Sequence, residues 1–171
     1  QDQAILKIRD ILRQFHYQAY DEETHTGLIR HIIVKRGHHS GHMMVVLVTT
    51  KDQLPHQEDL VSKIRQELPD LVSLIQNTNA QVTNVIMGPD SRTLWGQDFI
   101  EDTMLGLTLR ISAQSFYQVN TPQAEKLYSK AIELGQIKDT DTVMDAYCGI
   151  GSISLALAQH AGQVHAMETV S

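Results

Sequence analysis

Apolar residues recur along the first part of the chain with two different periods. Ala4, Ile5, Ile8, Ile11, Leu12 and Phe15 fall at helical spacing, so residues 3–16 are expected to form an amphipathic helix. In residues 27–35 branched side chains crowd together instead, and Met43–Thr49 is an almost unbroken apolar run. Both read as strands, the second apolar enough to be covered on two faces. The glycine-containing segment between them, residues 36–42, suits a hairpin connection. Leu54-Pro55 is expected to open a second helix, with Leu60, Val61, Ile64 and Leu68 on its buried face and Pro69 ending it. Residues 71–76 and 82–87 read as strands, and residues 93–95 and 99–103 as shorter ones. Leu105-Gly106 turns the chain into Leu107–Ser112, where Leu107, Leu109 and Ile111 alternate with polar partners. Residues 1–112 are therefore expected to form an α+β domain, with helices on a mainly antiparallel sheet.

The period changes after that point. Thr121-Pro122 reads as a cap followed by an early helical proline. Leu127, Tyr128, Ala131, Ile132 and Leu134 are expected to be the buried face of the helix, and Gly135 its end. Residues 142–146 then form a short strand, residues 152–160 a helix closed by Gly162, and residues 163–168 another strand ending in a carboxylate. This β-α-β succession is how a doubly wound parallel sheet begins. The expected class is α/β overall, with the first β-α-β unit of a Rossmann-like domain over residues 113–171. A helical pattern already runs at Ala4, and the chain stops directly after a predicted strand, so the sequence reads as a piece of a longer chain.

Composition narrows the classes. The hydrophobic fraction of 42% is enough for a core and argues against disorder. Neither an 18-residue apolar run nor a basic, then apolar, leader is present, which gives no sign of a membrane span or signal peptide. One cysteine, Cys148, rules out a disulfide framework within these residues and suits a reducing cytoplasm. With 14 basic and 20 acidic residues the formal charge is −6, so RNA affinity would have to come from a local patch or from outside these residues. The most basic stretch holds Arg30, Lys35 and Arg36 with His38, His39 and His42. Its loop has no cysteine or carboxylate to complete a zinc site, and it reads as a solvated strand edge rather than an RNA contact.

Candidate chemistry concentrates at Asp145-Ala146-Tyr147-Cys148-Gly149-Ile150-Gly151-Ser152. A strand, a glycine turn and a helix start make a ligand site at the carboxyl end of a parallel sheet, where glycine lets backbone come close to the ligand. A dinucleotide fingerprint would carry a third glycine, and here Ser152-Ile153-Ser154 follows instead. Asp145 would repel a pyrophosphate and favour an ammonium group, directly or through water. That fits S-adenosylmethionine, whose methionine part is cationic, and Glu168 is then positioned to accept hydrogen bonds from the ribose hydroxyls. A nicotinamide enzyme, or a turn with no cofactor, remains open on these residues alone.

Ser115-Phe116-Tyr117-Gln118-Val119-Asn120, followed by Asp145-Ala146-Tyr147-Cys148-Gly149-Ile150-Gly151, resembles the RNA (uracil-5-)-methyltransferase family, whose members carry S-F-[FY]-Q-V-N and then D-x-[YF]-C-G-x-G. Residues 27–34 look like that family's central-domain strand. The resemblance covers essentially the whole chain and is greatest to the 23S ribosomal RNA enzymes, with the transfer-RNA branch as the alternative. It implies S-adenosylmethionine as cofactor and an RNA substrate, with no obligate protein partner. It also implies Gln118, Tyr147, Ser152 and Glu168 as cofactor-binding residues. Gln118 both donates and accepts, Tyr147 is an aromatic wall, Ser152 sits at a helix amino terminus, and Glu168 takes the ribose. Phe116 could stack on an unpaired base or pack in the interior. The family's nucleophilic cysteine and general base lie downstream, so no catalytic residue is expected here and Cys148 reads as packing. A non-catalytic RNA-binding relative, or a methyltransferase acting on protein or a small molecule, would share much of this pattern.

Overall fold

A computed structural model describes residues 2–169 of the chain, which divide into two compact units. The first takes in the residues up to Gly37, Gly41–Ile100 and Ser112–Gln114. The second takes in His38–Ser40, Glu101–Ile111 and the chain from Ser115 onward.

The first unit is organised around a strand with no exposed residue. β2 (Met43–Thr49) is buried at every position, as its apolar run requires. It lies inside a four-stranded sheet of order β1-β2-β3-β4, with β1 (Ile29–Arg36), β3 (Leu71–Thr78) and β4 (Asp90–Gly96). β1 and β4 pair antiparallel with their neighbours, whereas β2 and β3 run parallel. A parallel pair needs a crossover connection, and α2 (Gln57–Glu67) lies between these two strands in the chain. α1 (Asp2–Gln14) buries Ala4, Ile8, Ile11 and Leu12, and α2 buries Leu60 and Ile64, in one cluster with Val45, Leu47 and Leu74. Each fully buried aliphatic side chain contributes roughly 1.5–3 kcal/mol relative to exposure. The helix-period and strand-period patterns of the sequence thus converge on one core.

Two expectations shift here. The second helix starts at Gln57 rather than Leu54, because the Tyr17 hydroxyl donates to the Pro55 carbonyl and His56 turns left-handed (φ 53°) just before the helix. Residues 82–87 do not form a strand, and Val82, Val85 and Ile86 are exposed. Side chains take the place of a strand partner along this stretch. Arg30 donates to the carbonyls of Asn79, Gln81 and Thr83 at 3.0, 2.5 and 3.1 Å. Asn79 Nδ2 donates to Val85 and Ile86 carbonyls at 2.7 and 3.3 Å. The buried Asn77 amide grips Gly88 from both sides, donating to its carbonyl (2.8 Å) and accepting from its N–H (2.7 Å). A Cβ on Gly88 would lie 1.9 Å from the Thr78 carbonyl oxygen, so only glycine fits this approach.

The second unit contains most of the hairpin of β5 (Phe99–Met104) and β6 (Leu107–Ser112), then α3 (Thr121–Gly135), β7 (Thr142–Asp145), α4 (Ser152–Leu157) and β8 (Gln163–Ala166). Leu105 and Gly106, at φ 49° and 77°, make the two-residue reversal that matches strand twist. β7 and β8 pair parallel in register from Thr142 with Gln163 to Asp145 with Ala166, which gives the expected β-α-β unit. β8 ends two residues short of Glu168. α3 is capped by Asn120, whose side chain accepts from Gln123 N–H at 3.3 Å, so Thr121 is the first helical residue rather than the cap. The left-handed C-cap is Gln136 rather than the predicted Gly135. Its expected apolar face is only partly used, since Thr121 and Ala124 are buried while Leu127 and Leu134 are 64% and 70% exposed. The helix packs through Ala124 and Tyr128 on Met104, Leu109 and Ile150.

The segment held by side chains supplies a test. Asn77→Ala is expected to lower stability by roughly 1–3 kcal/mol through buried groups left unpaired at Gly88. Val85→Ser should change it by no more than about 0.5 kcal/mol. Urea denaturation midpoints compare the two; a large loss from Val85→Ser would mean that residues 82–87 are buried after all.

Candidate functional site

The sequence places a strand end, two glycines and a helix start in ten residues, and the fold turns them into an open corner. Gly149 and Gly151 both adopt left-handed backbone, φ 53° and 82°, and Gly151 caps α4. A Cβ at Gly149 would meet nothing within 4 Å, and one at Gly151 only Leu155 at 4.0 Å. The left-handed backbone favours glycine at both positions, and among the described residues the space beside the turn is open to a ligand.

Two carboxylates frame the corner. Asp145, ending β7, accepts from the Ser154 hydroxyl of α4 at 2.5 Å and from Tyr147 N–H at 3.3 Å. Its first role is to brace the helix and the turn, the plain structural use of such a residue. Two accepted bonds leave a carboxylate with further acceptor sites. Glu168 reaches back to the turn, accepting from Gly149 N–H at 2.9 Å with Oε2 and from Thr169 N–H at 2.7 Å with Oε1. Backbone ties close the corner beneath them, Met167 N–H to the Asp145 carbonyl (2.8 Å) and Cys148 N–H to the Met167 carbonyl (3.0 Å).

The four residues predicted from the resemblance take different positions. Glu168 is brought onto the glycine turn. Tyr147, within the turn, is 87% exposed, its ring available as a wall. Ser152 begins α4 with its hydroxyl 3.4 Å from that of Tyr128. Gln118 is half-buried in the segment before α3, its carbonyl accepting from the Thr121 hydroxyl at 3.4 Å. Phe116 is 75% exposed among the described residues. Cys148 is half-buried, its thiol 3.7 Å from the Gly149 carbonyl.

A residue the sequence reading passed over holds the segment that carries Gln118. Asp102 is buried in β5 and accepts four hydrogen bonds. The N–H groups of His38, His39 and Ser40 donate at 2.8, 2.9 and 3.0 Å, and the Tyr117 hydroxyl at 2.9 Å. Burial pushes its pKa up, but the backbone and phenol donors outweigh that and hold the carboxyl below its ordinary value of 3.8. Burial and the adjoining carboxylate push the Tyr117 phenol up to about 12, so it stays a donor. Glu125 adds to the same cluster, accepting from Leu105 N–H at 3.1 Å and lying 3.2 Å from His39 Nε2. The signal for Asp102 was present in the sequence. It sits between Ile100 and Met104 at strand spacing, an acid at an inward position.

The most basic stretch has partners within the chain. Arg30 serves the carbonyls of residues 79–83, Lys35 donates to the Ser112 carbonyl at 3.0 Å, and Arg36 pairs with Asp70 at 2.7 Å.

The comparisons bear on the whole of this arrangement. The sequence profile of the tRNA (Uracil-5-)-methyltransferase family matches residues 39–171. The chain belongs to that family. It is 53% identical over 169 residues to a Lactiplantibacillus plantarum protein described as an uncharacterized RNA methyltransferase, and 50% identical to one from Streptococcus mutans. These matches cover 99% of this chain but 37% and 38% of the relatives, so the chain spans little more than a third of their length. The fold is similar to that of Pyrococcus abyssi tRNA (uracil-54, C5)-methyltransferase, solved with S-adenosyl-L-homocysteine. The TM-score is 0.73 at 23% identity, over 91% of this chain and 36% of that one.

The Asp102 cluster yields a prediction with a sign. A carboxylate whose folded pKa is depressed contributes stability that is full above its unfolded pKa and is lost as pH falls through the folded value. Asp102→Asn should cost roughly 1–3 kcal/mol at neutral pH by leaving buried donors poorly matched. The gap to the unsubstituted chain should close as pH falls below about 4. Thermal unfolding across pH 3–7 measures it, and a gap independent of pH would show that charge on Asp102 is not what matters.

Proposed function

We propose that the protein containing this chain transfers a methyl group from S-adenosylmethionine to carbon 5 of a uridine in RNA. The observation that carries this reading is the glycine corner with Glu168 drawn onto it, in a chain that belongs to the uracil-5 family. Family membership supports RNA methylation and the fold supports S-adenosylmethionine. The uridine atom, the mechanism and the choice of RNA are our proposal. We take 23S ribosomal RNA as the substrate on the resemblance of the motifs, with transfer RNA as the alternative, and a cytoplasmic location. Residues 1–112 would form a central domain, and residues 113–171 the start of the methyltransferase domain.

Bound S-adenosylmethionine supplies an electrophilic methyl on a sulfonium. The residues of this chain bind and orient it. The free space beside Gly149 admits the cofactor close to backbone, and Tyr147 closes one side with its ring. Glu168, drawn onto the turn by the Gly149 N–H, would accept hydrogen bonds from the ribose hydroxyls. Gln118, before α3, and Ser152, at the start of α4, would add contacts to the cofactor, and the Tyr117–Asp102 bond holds the segment that carries Gln118.

The chemistry requires a nucleophile, because uracil carbon 5 is a poor methyl acceptor. A cysteine thiolate adds to carbon 6, and the electron pair released toward carbon 5 attacks the methyl, freeing S-adenosylhomocysteine. A base then takes the carbon 5 proton and the thiolate leaves. Both groups are assigned to residues outside this chain, and Cys148, held in the cofactor turn, to neither. The target base must leave its stack to reach the site.

In the full-length protein, Glu168→Ala should weaken S-adenosylmethionine binding roughly 10- to 100-fold, the worth of hydrogen bonds to a charged group. Cys148→Ala should leave it within about threefold. Calorimetry reads both, and an unchanged Glu168→Ala affinity removes the ribose role. Residues 1–171 alone should transfer no tritiated methyl to ribosomal or transfer RNA. Transfer by the full-length protein to ribosomal RNA but not transfer RNA supports the substrate named here, and the reverse result selects the alternative.

A further inference from the structure

Far along the chain from the glycine corner, the first unit contains a cavity of about 1110 Å³ that the cofactor reading does not use. It is lined by aromatic side chains and imidazoles, among them Phe15, Tyr17, Tyr20, His16, His25 and His56. Lys51 also lines it, and no aspartate or glutamate does, in a chain whose acids outnumber its bases 20 to 14. The nearby Asp21 turns its carboxylate into its own loop, accepting from Glu23 N–H and Thr24 N–H at 2.9 and 2.8 Å.

The three histidines share a second property. His16, His25 and His56 all have left-handed backbone, φ 59°, 54° and 53°, and they are three of the five described non-glycine residues that do. His16 follows α1, His25 turns the loop before β1, and His56 precedes α2. Glycine would fill each reversal without the cost of roughly 1–2 kcal/mol that a Cβ incurs there. At all three reversals that line one cavity the residue is an imidazole. Tyr20 lines it too, its hydroxyl 3.0 Å from His25 Nδ1 and its ring carrying the Arg30 guanidinium at 4.6 Å. Arg30 thereby covers one ring face and adds positive potential behind it.

We propose that this cavity receives an unpaired nucleotide of an RNA strand, its base against the aromatic side chains and its phosphates facing the imidazoles and Lys51. The proposal rests on the RNA substrate argued above. Aromatic stacking holds any base, while imidazole donors, the Lys51 ammonium and a lining without acids suit the backbone. Such a site would grip substrate RNA through residues other than those of the glycine corner and supply a local patch within an acidic chain.

The probe is a fluorescein-labelled single-stranded oligouridylate of about ten nucleotides, titrated by anisotropy into the full-length protein. Tyr20→Ala should weaken binding roughly 5- to 100-fold and Tyr20→Phe by less than about threefold, since the ring and not the hydroxyl is needed. Lys51→Ala, at an exposed position, should lower the slope of log affinity against log salt by about one. Calorimetry with S-adenosylmethionine should give the same affinity for all three, which also reports that they fold. Unchanged oligouridylate affinity in Tyr20→Ala, with methyl transfer to RNA intact in the parent, overturns the cavity proposal and leaves the proposed function standing. Failure of the parent to bind or methylate any RNA overturns both. Displacement of the probe by uridine monophosphate at micromolar concentration would make the occupant a free nucleotide and overturn the strand.

Discussion

A buried carboxylate with four donors is the constraint on which the second unit depends. Asp102 could not remain charged in an apolar interior without them, because isolated charge is expelled or neutralised. Three consecutive backbone N–H groups and a phenol meet that requirement. The arrangement works in both directions. The donors keep the acid ionised, and the acid fixes a histidine-bearing loop and the motif segment around Tyr117, which no hydrophobic contact would orient so specifically.

The glycine corner uses the same means on a smaller scale. Asp145 fastens α4 to β7 through Ser154, and Glu168 fastens the residues after β8 to Gly149. Polar side chains with few partners hold the backbone while leaving the volume in front of it free. A hydrophobic brace in either position would have filled that volume. The Tyr147 ring takes no part in this bracing and remains exposed, while Glu168 both braces the turn and is the residue proposed to meet the ribose.

Much of this was legible before any coordinates. The strong periodic signals, the α1 stripe and the β2 run, survive because burial and propensity agree there. Two of the departures have identifiable causes. Residues 82–87 have strand composition, but Arg30, Asn77 and Asn79 satisfy the backbone there instead, and long-range side-chain bonds leave no mark in a local window. The α3 face was read from periodicity alone, which reports where apolar residues lie and not whether a neighbour covers them. The glycine corner was visible as a spacing, while the engagement of Asp145 with Ser154 was not. Asp102 was overlooked for the opposite reason, since its inward position could be read from Ile100 and Met104, yet an acid invites a surface assignment.

The contrast between β2, with every residue buried, and the short pair β7 and β8, with none, sets how each part of the chain opens. Amides of β2 are released to solvent only when the core around them is lost. Those of β7 and β8 are released by small excursions that cost little. Anything that occupies the corner between these two strands stabilises the closed form by mass action. Hydrogen–deuterium exchange at residues 143–145 and 164–166 therefore becomes a direct gauge of occupancy, with the β2 amides as an internal clock that a ligand leaves untouched.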